Sequence, residues 1–147
     1  MALTSIARSV SVALFFLAMA ASGACKKNEA ARCDRCGMLI VPESAFRTEL
    51  LMPDTGGKTS FDTVKCALKK RATRKVRTTV RVQEYYSRTW TDGENVVFVV
   101  GSDVLGPMGK DLVPVAPAQA DKFVHDHGGD KTLKLGDISE AVLNGVP

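Results

Sequence analysis

The sequence predicts an α+β protein, one small domain built from two similar α+β halves. Three observations lead there. Apolar, β-branched stretches recur in both halves of the chain. Each set is broken by a Gly/Pro-rich turn and followed by a further short apolar run. Each set then closes on a segment with helical spacing.

Residues 1–24 are expected to be an export signal. Arg8 precedes the apolar run VSVALFFLAMAA, which is too short to span a bilayer comfortably, and the small residues SGA lead to Cys25. A type I peptidase cutting after Ala24 would use Ser22 and Ala24 as its small-x-small pair. A lipoprotein peptidase cutting the same bond would leave Cys25 as an acylated N-terminus. Either cut leaves residues 25–147, a length that suits one compact domain. Within it, residues 25–32 (CKKNEAAR) read as a polar tether and residues 33–147 as the domain.

The first half opens with MLIVPESAFRTELLM, expected to form one or two strands broken near Pro42. PDTGGK is a turn, and TSF returns as a short strand. Asp62 is expected to cap a helix TVKCALKKR whose Val64, Ala67 and Leu68 share one face. Lys69, Lys70 and Arg71 fall in its last turn, where the helix dipole favours cations.

The second half begins with TTVRVQEYYSRTWTDGENVVFVVGS, β-rich around the Asp92-Gly93 turn signal, with Trp90, Tyr85 and Tyr86 as core or edge residues. DVLGPMGKDLVPV supplies turn and strand. Pro117 opens the helix PAQADKFVHDH, with Ala120, Phe123, Val124 and His127 on one stripe and Gly128 at its end. TLKLGDISEAVLNG is expected to give a strand and a short helix capped by Asp137.

The full chain holds 20 Lys and Arg against 16 Asp and Glu. Losing residues 1–24 removes one basic and no acidic residue, which leaves 19 against 16. That imbalance is too mild to argue for nucleic acid. KKRATRKVRTTVR, the densest charge run, reads as a solvated helix end and edge strand. No Gly-rich phosphate loop, nucleophile elbow or Ser/His/Asp set is present, so nucleophilic catalysis is not indicated.

The chemistry concentrates in CDRCGMLI, residues 33–40. An exported chain permits disulfides, so Cys33, Cys36 and Cys66 must each be weighed as half of a bridge, Cys33 with Cys66 for example. With Cys25 acylated, the remaining three cysteines are odd in number and leave at least one thiol free or bound. Zinc would need four donors, and the chain has no second Cys-x-x-Cys, so Cys66 and one histidine would have to complete the set by folding. A redox dithiol would want Cys33 exposed at a helix N-terminus, whereas GMLIVP reads as strand. Cys36 and Met38 are both soft donors suited to Cu(I), and in an extended segment residues two apart share a face. Met108, in the Gly/Pro turn GPMGK, is a third soft donor in a place where core packing is not expected. Met52 reads as core. His125 and His127 cannot face the same way on a helix; His127 lies on the apolar stripe and is a reserve ligand.

CDRCGMLI, FDTVKC, VVFVVGSDVLGPMGKDLVPV and ADKFVHDHGG, in that order, resemble the NosL family of exported copper-binding accessory proteins of nitrous oxide reductase maturation. The resemblance runs from about Cys33 to Leu135. It implies two related ββα-type halves, a fold similar to that of the organomercurial lyases. It further implies one Cu(I) held by Cys36, Met38 and Met108; Cys33, a departure from the family pattern, and Cys66 or His127 are the extra donors this sequence itself offers. The ion would pass to the reductase's assembly machinery or to an apo-enzyme, on the periplasmic side of a membrane and with a lipid anchor on Cys25. No catalysis is expected on this reading. The alternative is a carbon–mercury lyase or thiol-disulfide enzyme using Cys33, Cys36 and Cys66.

Overall fold

The computed structural model describes residues 30–147; the expected signal, the tether up to residue 29 and Cys25 lie outside the described residues. The first sheet has four antiparallel strands in the order β2-β1-β3-β4: β1 Thr48–Met52, β2 Gly57–Phe61, β3 Thr79–Gln83 and β4 Trp90–Asp92. Helix α1, Val64–Thr73, connects β2 to β3. In the second sheet, β5 Val97–Val100 lies between β8 Val113–Val115 and β9 Lys131–Leu133, again antiparallel. A small hairpin, β6 Leu105–Gly106 with β7 Gly109–Lys110, is inserted between β5 and β8. A 3-10 turn at Pro117–Gln119 leads into helix α2, Ala120–His127, and helix α3, Glu140–Gly145, closes the chain.

Two similar α+β halves are therefore present, but the unit is ββαβ. In each, the first strand is central, flanked by the second strand and by the strand after the helix. Thr79–Gln83, expected to open the second half, closes the first by pairing with β1 from Thr48↔Val82 to Leu51↔Thr79. The reason is the alternation TVRVQ: Val80 and Val82 are buried on the face that meets α1, and only pairing to β1 puts them there.

Two cores result. Leu50, Phe61, Val64, Ala67, Leu68, Val80 and Val82 pack together with Leu143 and Val146 from the chain's end. Val99, Val113, Val115 and Phe123 form the second. Neighbouring residues of β5 serve one each, Phe98 the first and Val99 the second, as a period-two strand covered on both faces must. Burying each such side chain contributes about 1.5–3 kcal/mol.

Local expectations fail where a tertiary partner competes. Of the residues from 38 to 52, only Thr48–Met52 is a strand; residues 42–43 and 45–46 are turns, the chain meeting itself earlier in the isolated bridge Arg32↔Leu39. The N-cap of α1 is Thr63, whose hydroxyl accepts from the N–H of Cys66 at 3.0 Å, and Asp62 is turned to the cysteines instead. The N-cap of α3 is Ser139, not Asp137, which sits in a 3-10 turn. Tyr85 and Tyr86 follow β3 in a turn and pack edge-on against Phe123.

Candidate metal centre

The segment from Cys33 to Met38 is a closed loop rather than the extended strand expected of Cys36-Gly-Met38. The Cys33 N–H donates to Met38 O at 2.8 Å and the Gly37 N–H to Cys33 O at 2.9 Å. Gly37 has φ +77°, a left-handed turn that a residue with a Cβ enters at a cost. Cys36 and Met38 therefore do not share a strand face. Asp34, in the loop, ion-pairs with Lys70 at 3.0 Å and with Arg74 at 3.4 Å, and its N–H donates to Ser60 O at 3.1 Å. These contacts pin the loop against α1 and β2.

The loop faces the start of α1. There the thiols of Cys33, Cys36 and Cys66 and the carboxylate of Asp62 place one ligand atom each within 4.8 Å of all the others. Cys33, Asp62 and Cys66 are buried, with exposures of 3%, 1% and 1%, while Cys36 faces outward and all three thiols are free. Cys36 Sγ lies 3.6 and 3.5 Å from the two oxygens of Asp62, to which it donates. Cys33 also donates to Asp62, while its sulfur meets the backbone N–H groups of Cys36, Asp62 and Arg35. N–H groups aimed at a sulfur favour its thiolate. Burial is the larger effect and pushes the Cys33 thiol up. Burial likewise raises Cys36, against the Met38 N–H, and Cys66, against the Thr63 hydroxyl. Without a cation the three thiols keep their protons at neutral pH, which opposes a low-pKa redox dithiol.

Met108 enters from the other half of the molecule. It sits at the tip of the β6–β7 hairpin, and its Sδ is 3.8 Å from Cys66 Sγ. Lys110 and Asp111, at the base of the hairpin, anchor it to α1. Asp111 Oδ1 accepts from the Lys65 N–H at 2.9 Å and from the Leu112 N–H at 2.7 Å, and Lys65 Nζ reaches Lys110 O at 3.2 Å. Asp111 thus satisfies one of the unpaired N–H groups at the start of α1, while Thr63 satisfies the next. Met38, 40% exposed, and Met108, 42% exposed, leave thioethers open to solvent.

Of the residues singled out by sequence, Cys33, Cys36 and Cys66 meet in one cluster and Met108 touches it. Met38 lies on the same loop, where its backbone closes the turn. His127 stands apart from the cluster: its Nδ1 lies 3.1 Å from Asp103 Oδ1 and its ring packs on Phe123 and Tyr85. The set of donors that zinc would need is therefore completed by the fold, with Cys66 and a carboxylate rather than a histidine. Sequence reasoning missed Asp62, which it assigned to the helix cap. The available signal was its position four residues before Cys66 in FDTVKC, one helical turn away.

The NosL family model matches residues 24–143. Among curated proteins none matches this chain. Among solved structures, the copper chaperone NosL from Shewanella denitrificans is similar in fold, with a TM-score of 0.67 and 21% identity over 75% of this chain and 90% of that one.

Proposed function

The chain belongs to the NosL family, and from that premise we propose that it is an exported Cu(I) metallochaperone, not an enzyme. Its cargo is handed to the assembly machinery or the apo-form of a copper enzyme, nitrous oxide reductase being the first candidate, from the periplasmic face of a membrane to which Cys25 anchors it by a lipid. Cys36, Met38 and Met108 are the family-type donors, and Cys66 and Cys33 extend the set.

The observation that carries this reading is the meeting of three thiols with the Met108 thioether at an edge of the fold, because thiolate and thioether together select a soft ion. The geometry also suits transfer. The buried thiols of Cys33 and Cys66 form the floor, whereas Cys36 and both methionines are reachable by a partner's donors. Ligands can then be exchanged one at a time, with the ion never released to water.

An anaerobic titration of the reduced protein with Cu(I), against a competing chelator, tests the reading. Tight binding near one ion per chain, weakened at least a hundredfold in Cys36→Ser, is expected. Equal affinity in the two proteins would remove the loop from copper handling.

One observation favours a second reading, carbon–mercury cleavage: Asp62 lies beside Cys36 and Cys66, so that thiolates to bind mercury and a group able to relay a proton to the departing carbon are together. Incubation with an organomercurial decides it, since only a lyase releases the protonated hydrocarbon catalytically.

A further inference from the structure

Most of the basic run at the end of α1 has no part in the metal centre. From Thr63 to Gln83 the chain holds no Asp or Glu, and six of the nine residues from Lys69 to Arg77 are Lys or Arg. Lys70 and Arg74 pair with Asp34, whereas Lys69, Arg71, Lys75 and Arg77 form no ion pair among the described residues. The loop from α1 to β3 holds Val76 out into solvent, 54% exposed, between the exposed side chains of Lys75 and Arg77. Beside it, at the same end of the first sheet, Leu51, Met52 and Pro53 line an open, mostly apolar cleft with Lys58 and Thr79 at its edges. The pairing Leu51↔Thr79 and the contact of Arg74 with Met52 Sδ at 3.0 Å set that cleft against the loop.

We infer that this end of the domain, the loop at Lys75, Val76 and Arg77 with the apolar cleft beside it, rests on an anionic phospholipid bilayer. The inference rests on the exported, membrane-side reading above and extends it to the orientation of the domain. Interfacial binding adds burial of apolar surface to the attraction between cations and anionic headgroups, and this surface supplies both. Cations on either side of a single apolar tip suit insertion, since the tip can enter the acyl boundary while the Lys and Arg heads stay with the phosphates. Acidic side chains nearby are few: Asp34, already paired, Asp54 in the β1–β2 turn, and Glu140 in the cleft that Arg71 lines. The surface keeps its positive balance.

The length of the tether fits this placement. Cys25 stands five residues before Ala30, the first described residue, and five residues span at most about 18 Å. Asp34, four residues further on, is held by Lys70 and Arg74 of the basic run. An acyl chain on Cys25 would therefore keep that run close to the headgroups, whose attraction for a cation fades over about 8 Å at physiological salt. Cys66 and Thr73 lie seven residues apart on α1, roughly 10 Å along its axis. With the last turn of α1 against the headgroups, the thiols at its start stand about 10 Å further from the bilayer, clear of lipid and open to a partner. A tether alone leaves the domain free to turn; a second contact fixes which way the metal centre faces.

The test uses residues 25–147 with Cys25→Ser, which keep every described residue and carry no acyl chain, in sedimentation with vesicles of phosphatidylcholine alone or mixed with phosphatidylglycerol. Binding to the mixed vesicles only is expected. One cation near an anionic surface is worth about fivefold in partitioning, so Lys75→Gln with Arg77→Gln should weaken binding at least about tenfold, as should high salt. Val76→Ser should weaken it about threefold or more, at low and high salt alike. All three side chains are exposed and lie outside the donor cluster, so Cu(I) affinity should not change in these variants. No binding to the mixed vesicles, or equal binding to both kinds, overturns the proposal. Loss in the charge variant without loss in Val76→Ser would mark a purely electrostatic surface, suited to an acidic protein, and overturns the bilayer assignment. The membrane-side reading fails separately: the mass of the exported chain shows whether Cys25 is acylated, and vesicle binding of the Cys25→Ser chain does not depend on it.

Discussion

Replacing Asp111 by Asn removes a buried negative charge and keeps Oδ1, the atom that accepts from the N–H groups of Lys65 and Leu112. Asp111 is 2% exposed, and its other oxygen, Oδ2, is buried without a hydrogen bond. Burial raises its carboxyl from 3.8 to about 6, outweighing the Leu112 and Lys65 N–H groups, the Thr63 side chain and the Lys65 charge. Two pH units at about 1.4 kcal/mol each give about 3 kcal/mol. The folded protein holds this proton more tightly than the unfolded chain does. The stability Asp111 contributes is therefore full below its unfolded value of 3.8, is lost as the pH rises through about 6, and is constant above.

Urea unfolding of the reduced, metal-free wild type and Asp111→Asn, at steps between about pH 4 and about pH 7, measures this. Other carboxylates cancel in the difference between the two proteins. Asp111→Asn should gain on the wild type by about 2 kcal/mol across that window, nearly all of it below about pH 6.5, the rest of the shift lying below about pH 4. A difference between the two proteins that stays flat with pH would refute the assignment of a desolvated carboxylate to this position. The consequence reaches the metal centre, because Asp111 holds the hairpin of Met108 against the helix of Cys66.

Thr63→Ala removes the hydroxyl that accepts from the Cys66 N–H and should cost about 1 kcal/mol in urea unfolding, with Thr63→Ser restoring most of it. Gly101→Ala combines φ +86° with a Cβ that would run into the Asp130 carboxylate, so a loss above about 1 kcal/mol is expected from the same measurement. Because burial raises all three thiols, metal uptake must expel their protons. Proton release in weak buffer at neutral pH should accompany loading, and apparent affinity should climb with pH; uptake without proton release would contradict protonated thiols in the free protein.

Much of the fold was legible because it rests on local periodicity. Phe123 and Val124 fall on the inner face of α2 and Gly128 ends it with φ +70°, as the spacing requires. Val64, Ala67 and Leu68 line the inner face of α1 for the same reason. Strand pairing was less legible. Nothing within TVRVQ says whether it joins the strand before it or the strand after it; the choice depends on which core accepts Val80 and Val82. For the site, Met108 in a Gly/Pro turn was visible because a large apolar residue there conflicts with the turn's usual chemistry. The loop at Cys33 was misread because MLIV is rich in strand formers, and Gly37, placed directly after Cys36 and before that run, was the residue that should have signalled a left-handed turn.

Asp62 shows a more general conflict. Asp is among the best helix caps, and one stands beside the start of α1, yet the adjacent Thr63 does the capping. The doubling of cap residues is what frees the carboxylate to turn toward the cysteines. Had Asp62 capped the helix, its charge would have been spent on backbone N–H groups and the thiols would have lacked an oxygen donor. Substituting Thr63 therefore tests more than a cap: in Thr63→Ala, Asp62 is the nearest side chain able to take over the helix end. Its recruitment there would take the Asp62 charge away from Cys36 and Cys66, which burial and then that charge push up, so both thiols should lose protons at lower pH than in the wild type, as thiol alkylation rates against pH would show. Thiol titration and helix capping would then be two readouts of where one carboxylate points.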